Sequence, residues 1–134
     1  MTEEQLLKSG ERINQLFSTD IKIIQNSEVF SYSVDSVLLS RFPRFPKNGL
    51  IVDFCAGNGA VGLFASSRTK AKILSVEIQE RLADMAERSV RLNGLESQMQ
   101  VICDDLKNMP SHIQGSKVDL ILCNPPYFKV DPNS

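Results

Sequence analysis

Histidine is almost missing from this sequence: there is one, His112, in 134 residues. It lies in a polar stretch, so a solvated surface role is expected, and no Ser/His/Asp or Cys/His arrangement can be assembled around it. Cysteine is scarce too. Cys55, Cys103 and Cys123 are too scattered for a zinc site and odd in number for a disulfide framework, so no metal and a reducing, cytoplasmic setting are expected. All three fall near predicted strand ends, where small buried thiols are the simplest expectation. Charge of one sign is also lacking. Fifteen Lys and Arg against sixteen Asp and Glu leave a net charge of −1, so no global field points to nucleic acid. Any RNA contact must then come from a local patch. No apolar run approaches a membrane span, and the opening MTEEQLLKSGER lacks a signal-peptide core, so no membrane segment is expected. Repeats and low-complexity tracts are absent. What remains is 42 % hydrophobic and 23 % charged, the composition of one globular unit with a real core.

The chain divides into residues 1–49, an N-terminal helix and hairpin extension, and residues 50–134, an α/β unit. In the first part, residues 1–17 are read as helical from Leu6, Leu7, Ile13, Leu16 and Phe17. Ile21–Gln25 reads as a strand, and the turn Asn26-Ser27-Glu28 returns it to Val29-Phe30 as a small hairpin. Ser33 or Asp35 can cap a helix reaching Ser40 or Arg41, since their oxygens accept otherwise unpaired N–H groups. The loop from Phe42 to Gly49 is rich in breakers. Its cations Arg41, Arg44 and Lys47, beside Phe42 and Phe45, are the best candidates for RNA backbone contact.

From Leu50 the pattern becomes regular β/α alternation. Strands are predicted over 50–54, 72–77, 99–103 and 118–123, with helices over 60–67 and 79–93 and a weak turn of helix over 111–114. Right-handed crossovers then give a parallel sheet of order 3-2-1-4 with helices on both faces.

The first strand runs into Gly57-Asn58-Gly59-Ala60-Val61-Gly62, which fits the dinucleotide pattern G-x-G-x-x-G and brings a nicotinamide enzyme into consideration. Glycine lets the backbone bend sharply and approach a ligand closely. Asp53, four residues before Gly57, favours S-adenosyl-L-methionine instead. A carboxylate there suits a ligand carrying an ammonium and a sulfonium and suits a pyrophosphate poorly. Cys55 holds a position that is often glycine in such turns. Glu77 closes the second strand with two oxygens that can take both hydroxyls of a ribose, at about 1.5–3 kcal/mol for such charged hydrogen bonds. Ile78 can lie against an adenine face. Asp104-Asp105-Leu106 follows the third strand; Asp105 is expected to accept from the adenine amino group, with Asp104 a turn cap.

The fourth strand, Val118 to Cys123, ends in Asn124-Pro125-Pro126-Tyr127-Phe128. Two prolines stop the strand's hydrogen bonding and hold Asn124 and Pro125 in a stiff, extended lip. That lip falls at the carboxyl end of a sheet strand, where open α/β sheets bind ligands.

Asn-Pro-Pro-Tyr resembles the substrate-amine motif of the S-adenosylmethionine-dependent amino-methyltransferases. The resemblance implies that the Asn124 side-chain oxygen and the Pro125 carbonyl accept the two N–H hydrogens of a planar amine. Its lone pair would then be aimed at the methyl group, while Tyr127 stacks on the acceptor base, worth about 1–3 kcal/mol. With Phe30-Ser31-Tyr32-Ser33-Val34-Asp35-Ser36-Val37-Leu38-Leu39 added, the chain resembles the bacterial tRNA (adenine-N6)-methyltransferases that modify the adenine beside the anticodon of a valine tRNA. The likeness runs from about Glu11 to Phe128. It implies S-adenosyl-L-methionine as cofactor, tRNA as partner, and Tyr32, Ser33 and Asp35 near the methionine end of the cofactor. Protein glutamine methyltransferases share Asn-Pro-Pro-Tyr, so an amide acceptor is the alternative, and a non-catalytic cofactor-binding module is another. In that family further strands follow the motif, whereas this sequence stops at Ser134. The expectation is a cofactor-binding half whose fourth strand forms an unpaired edge open to self-association.

Overall fold

The computed structural model describes residues 2–16, 19–26, 44–54, 56–113, 115 and 117–123. Four parallel strands make the central sheet: β3 (Leu50–Phe54), β4 (Lys72–Glu77), β5 (Met99–Cys103) and β6 (Leu120–Cys123). Their spatial order is β5-β4-β3-β6, the 3-2-1-4 order expected from the alternation of elements.

Period-two alternation gives the sheet two different faces. Ile51, Ile73 and Leu122 point to one side, against helix α2 (Ala60–Ser66) and helix α3 (Glu80–Leu92). Val52, Leu74 and Val76 point to the other, where Ile102, Val118 and Ile113 pack on them. Ile113 belongs to the short helix α4 (Met109–Ile113), which follows a 3-10 turn at Leu106–Asn108. Helices therefore lie on both faces, and α4 begins two residues earlier than the sequence suggests.

Helix α2 is buried along almost its whole length, from Ala60 to Ala65, because it is sandwiched between the sheet and the N-terminal elements. Gly62 permits this approach. A Cβ there would sit 2.8 Å from both Met99 Cε and Ser75 Oγ. On α3, Leu82, Met85, Ala86 and Val90 lie on the buried face, and Gly94 follows with φ +66°, the left-handed residue that ends many helices.

The N-terminal part departs from expectation. Helix α1 is a single turn, Glu3–Leu6, closed by a Thr2/Gln5 capping box. Residues 11–15 form a strand, β1 (Glu11–Gln15), which pairs antiparallel with β2 (Lys22–Asn26) in the register Ile13 to Ile24. The hairpin thus uses the upstream segment as its partner, and a helix over 1–17 is excluded. The reason is tertiary: Leu16 and Ile23 enter the main core, and Ile24 packs with Leu82 and Met85 of α3. One strand satisfies both its neighbour's hydrogen bonds and the helix's apolar face. The expected partner Val29-Phe30 and the Ser33/Asp35 cap lie outside the described residues.

Candidate functional site

The carboxyl ends of β3, β4 and β5 carry the predicted polar groups to one end of the sheet. Asp53 is one residue from the end of β3, opposite Ser75 on β4 and Leu122 on β6. It is 1 % exposed, and its Oδ2 has no hydrogen-bond partner. Burial pushes its carboxyl up to about 7; the nearby Glu77 charge adds to the rise, and a hydrogen bond from the Gly62 backbone opposes it. A buried carboxylate with one idle oxygen is an energetic liability unless a cation or a proton completes it.

The glycine turn follows directly. Gly57 and Gly59 hold φ +58° and +91°, conformations that residues with a Cβ rarely adopt, so the tight bend depends on them. Asn58 is buried between them, and its Nδ2 donates to the Ile24 carbonyl at 3.4 Å. Its side chain therefore ties the turn to the hairpin.

Glu77 stands at the end of β4 and is almost fully buried. The Gly57 N–H donates to its Oε1 at 2.8 Å and the Gln79 N–H to its Oε2 at 2.9 Å. Each oxygen keeps a lone pair for a further donor. Glu77 thus braces the glycine turn as well as facing the site, a role no local pattern announces because the two residues are 20 apart in sequence. Ile78, next along, is 60 % exposed, an apolar surface at the rim.

Asp104 and Asp105 follow β5 and divide their duties. Asp104 accepts from the Asp105 N–H and Asn108 Nδ2, both at 2.7 Å, while its Oδ2 lies 2.8 Å from His112 Nε2. These contacts, led by His112, pull its carboxyl down to about 2. The Asp105 carboxylate accepts the Lys107 N–H at 3.1 Å and, among the described residues, no other hydrogen bond, and so is the less committed carboxylate. Leu106 opens the 3-10 turn. His112 is exposed, as expected, and at the same time joins this local network through Asp104.

Two expectations about cysteine fail: Cys103 and Cys123 are both exposed, because each points out at the last position of its strand. Tyr32, Ser33, Asp35, Cys55, Asn124, Pro125, Pro126 and Tyr127 lie outside the described residues, as do Arg41 and Phe42 of the basic loop. Yet the register of β6 is described: Cys123, immediately before Asn124, pairs with Phe54 of β3. Among the described residues no cluster of His, Cys, Asp or Glu could hold a metal, and no helix is long and apolar enough to cross a membrane.

A parallel β5-β4-β3-β6 sheet, a glycine bend after its first strand and acidic residues at the next strand ends define the Rossmann-like α/β fold of the S-adenosylmethionine-dependent methyltransferases. Solved structures with that fold superpose well. A SAM-dependent methyltransferase from Agrobacterium tumefaciens matches with TM-score 0.64 at 19 % identity, over 90 % of this chain and 41 % of that one. TYW2 of P. horikoshii, in complex with MeSAdo, matches with TM-score 0.63 at 19 % identity, over 75 % and 38 %. Residues 20–132 match the methyltransferase small domain, and the chain belongs to that family. Among its relatives is the tRNA1(Val) (adenine(37)-N6)-methyltransferase of Shewanella halifaxensis, 31 % identical over 76 % of this chain and 42 % of the relative. The enzyme of that name from Bacteroides fragilis is 30 % identical over 70 % and 40 %. The chain therefore spans about two-fifths of the length of these curated relatives.

Proposed function

We propose that this chain binds S-adenosyl-L-methionine and takes part in methyl transfer to the exocyclic N6 of an adenine in RNA, with tRNA the substrate. The observation that carries the proposal is the parallel pairing of β3 with β6. It sets the strand leading into the Asn-Pro-Pro-Tyr lip beside the strand leading into the glycine bend. A cofactor on the bend and an amine on the lip would then be neighbours. The naming of the relatives as tRNA adenine-N6 methyltransferases supports the choice of acceptor.

The residues fit the cofactor. Asp53, buried with an idle Oδ2, calls for a positive neighbour, and the methionine ammonium and sulfonium are positive. Glu77 keeps lone pairs for a ribose diol, Ile78 offers an apolar face to adenine, and Asp105 is available to its amino group. Bound there, the cofactor supplies a methyl group activated by a sulfonium. Asn124 and Pro125 hold the acceptor N–H groups, Pro126 stiffens the lip, and Tyr127 stacks on the base. By the family resemblance, Tyr32, Ser33 and Asp35 would lie near the methionine end, and Cys55 is small enough to stand where such turns often have glycine. No general base is needed while the amine is neutral, since its proton leaves to water after transfer; alignment and exclusion of water from the sulfonium do the rest.

The test is mass spectrometry of transcribed tRNAs incubated with the chain and labelled cofactor, with a glutamine-containing release-factor peptide in parallel. Label is expected on adenine N6; label on the peptide alone would move the acceptor to an amide. Asn124→Ala should abolish transfer while calorimetric affinity for S-adenosylhomocysteine stays within about twofold. Loss of both together would overturn the assignment of Asn124 to the acceptor.

A further inference from the structure

The opposite end of the sheet, where the strands begin, carries a different chemistry. The segment before β3 presents Arg44 and Lys47, and the turn between α2 and β4 presents Arg68 and Lys70; all four are exposed. Lys47, Arg68 and Lys70 line one groove, and no carboxylate among the described residues lines it. None of the four cations makes an ion pair with a described residue. In a chain of net charge −1, three cations around one groove are a local excess against the overall balance.

The groove is also built rigidly. Thr69 Oγ1 donates to the Pro46 carbonyl and accepts the Ala71 N–H at 3.0 Å, and the Thr69 carbonyl accepts from Gln98 Nε2 at 2.6 Å. That one residue buckles the two cationic segments together. Arg68 is steadied over the Phe64 ring, 5.2 Å from its centroid. Cations held in fixed relation lose less entropy on meeting a polyanion than cations on free loops.

The ligand end, by contrast, carries Glu77, Glu80, Asp104 and Asp105 at the ends of β4 and β5, whose charges repel phosphate. Binding energy for a polyanion must therefore come from elsewhere on the surface. We infer that the Lys47/Arg68/Lys70 groove, extended by Arg44, is a remote docking surface for the phosphate backbone of the RNA substrate. This rests on the RNA reading above. The six residues of β4 separate the two ends by about 20 Å, a span that a folded RNA can bridge.

The experiment measures binding of fluorescently labelled tRNA by anisotropy over a range of salt, which needs no turnover. The double variant Arg68→Gln/Lys70→Gln should weaken binding about tenfold and lower the slope of log Kd against log salt by about 2, one per lost phosphate contact. Calorimetric affinity for S-adenosylhomocysteine should not move, which separates this surface from the cofactor site. Arg68→Lys, which keeps the charge but loses the flat contact with Phe64, should retain the slope. The inference is overturned by an unchanged slope in the double variant, by a lysine variant that falls as far as the glutamine one, or by the absence of tRNA binding. It is equally overturned if phosphatidylserine vesicles bind through these cations while tRNA does not. Tight, salt-sensitive tRNA binding without methyl transfer would leave this surface standing and remove the catalytic reading instead.

Discussion

Asp53 has no local reason to be anything but an ordinary acid; its neighbours in space make it a proton trap. Folding moves it from a value near 3.8 to about 7, chiefly by removing it from water and secondarily through the charge of Glu77. Between those values Asp53 binds its proton more tightly in the folded state than in the unfolded one, so its contribution to stability falls as pH rises from about 4 to 7 and then levels. The interval sets a ceiling of about 4 kcal/mol on that loss. Asp53→Asn should therefore match the parent at pH 4 and exceed it at pH 8 by part of that amount, read from urea midpoints at the two pH values. If the gap between variant and parent does not open over this window, the carboxyl is solvated and the cation-binding role for Asp53 goes too. A bound cation reverses the effect, because it favours the ionised form that the empty site disfavours.

At the scale of the element, α3 is more than an amphipathic helix on a sheet. Its Arg88 is only 7 % exposed and donates to the Leu6 carbonyl at 2.7 Å, to both carboxylate oxygens of Glu11, and to Asp84. The Arg88 hydrogen bond holds Glu11 below the ordinary carboxylate range. The guanidinium thus pins both α1 and the start of β1 to the helix, with a planar fork suited to the bidentate carboxylate. Glu11→Gln leaves the buried charge with Asp84 as its remaining carboxylate. The expected cost is about 3 kcal/mol, at the lower end for breaking a buried pair, measured as a shift in the urea midpoint. A change below about 0.5 kcal/mol would show that the pair behaves as a surface contact.

For the whole molecule, the hairpin decides where the cooperative unit ends. The sequence divides most naturally at residue 49, yet Leu16 and Ile23 lie in the same core cluster as Ile51, Phe64 and Leu122. An isolated two-stranded hairpin is marginal in water, so β1 and β2 depend on α2, α3 and the sheet as much as these depend on them. Ile23→Ala removes a fully buried side chain and should cost about 2–5 kcal/mol. Hydrogen exchange of Ile73 and Met99 amides, in β4 and β5 of the main sheet, should accelerate along with those of the hairpin. Acceleration confined to residues 11–26 would make the hairpin a separate unit.

The sequence by itself determined β3, β4 and β5 to the residue, and β6 to within two at its start. β3 and β4, largely buried on both faces, are short runs rich in Val, Ile and Leu, and glycine turns or polar stretches flank the strands. The glycine bend was equally legible, since only a residue without a Cβ takes those positive φ values comfortably. Only the tertiary structure decided the partner of β2. Glu11–Gln15 is mostly polar around a single isoleucine, compatible with helix or strand until α3 offers Ile24 a surface and β2 offers hydrogen bonds. The same holds for the burial of Arg88, the bracing of Gly57 by Glu77 and the raised carboxyl of Asp53. Local pattern records what a segment must bury; which charge or carbonyl it meets is set by chain that is distant in sequence and near in space.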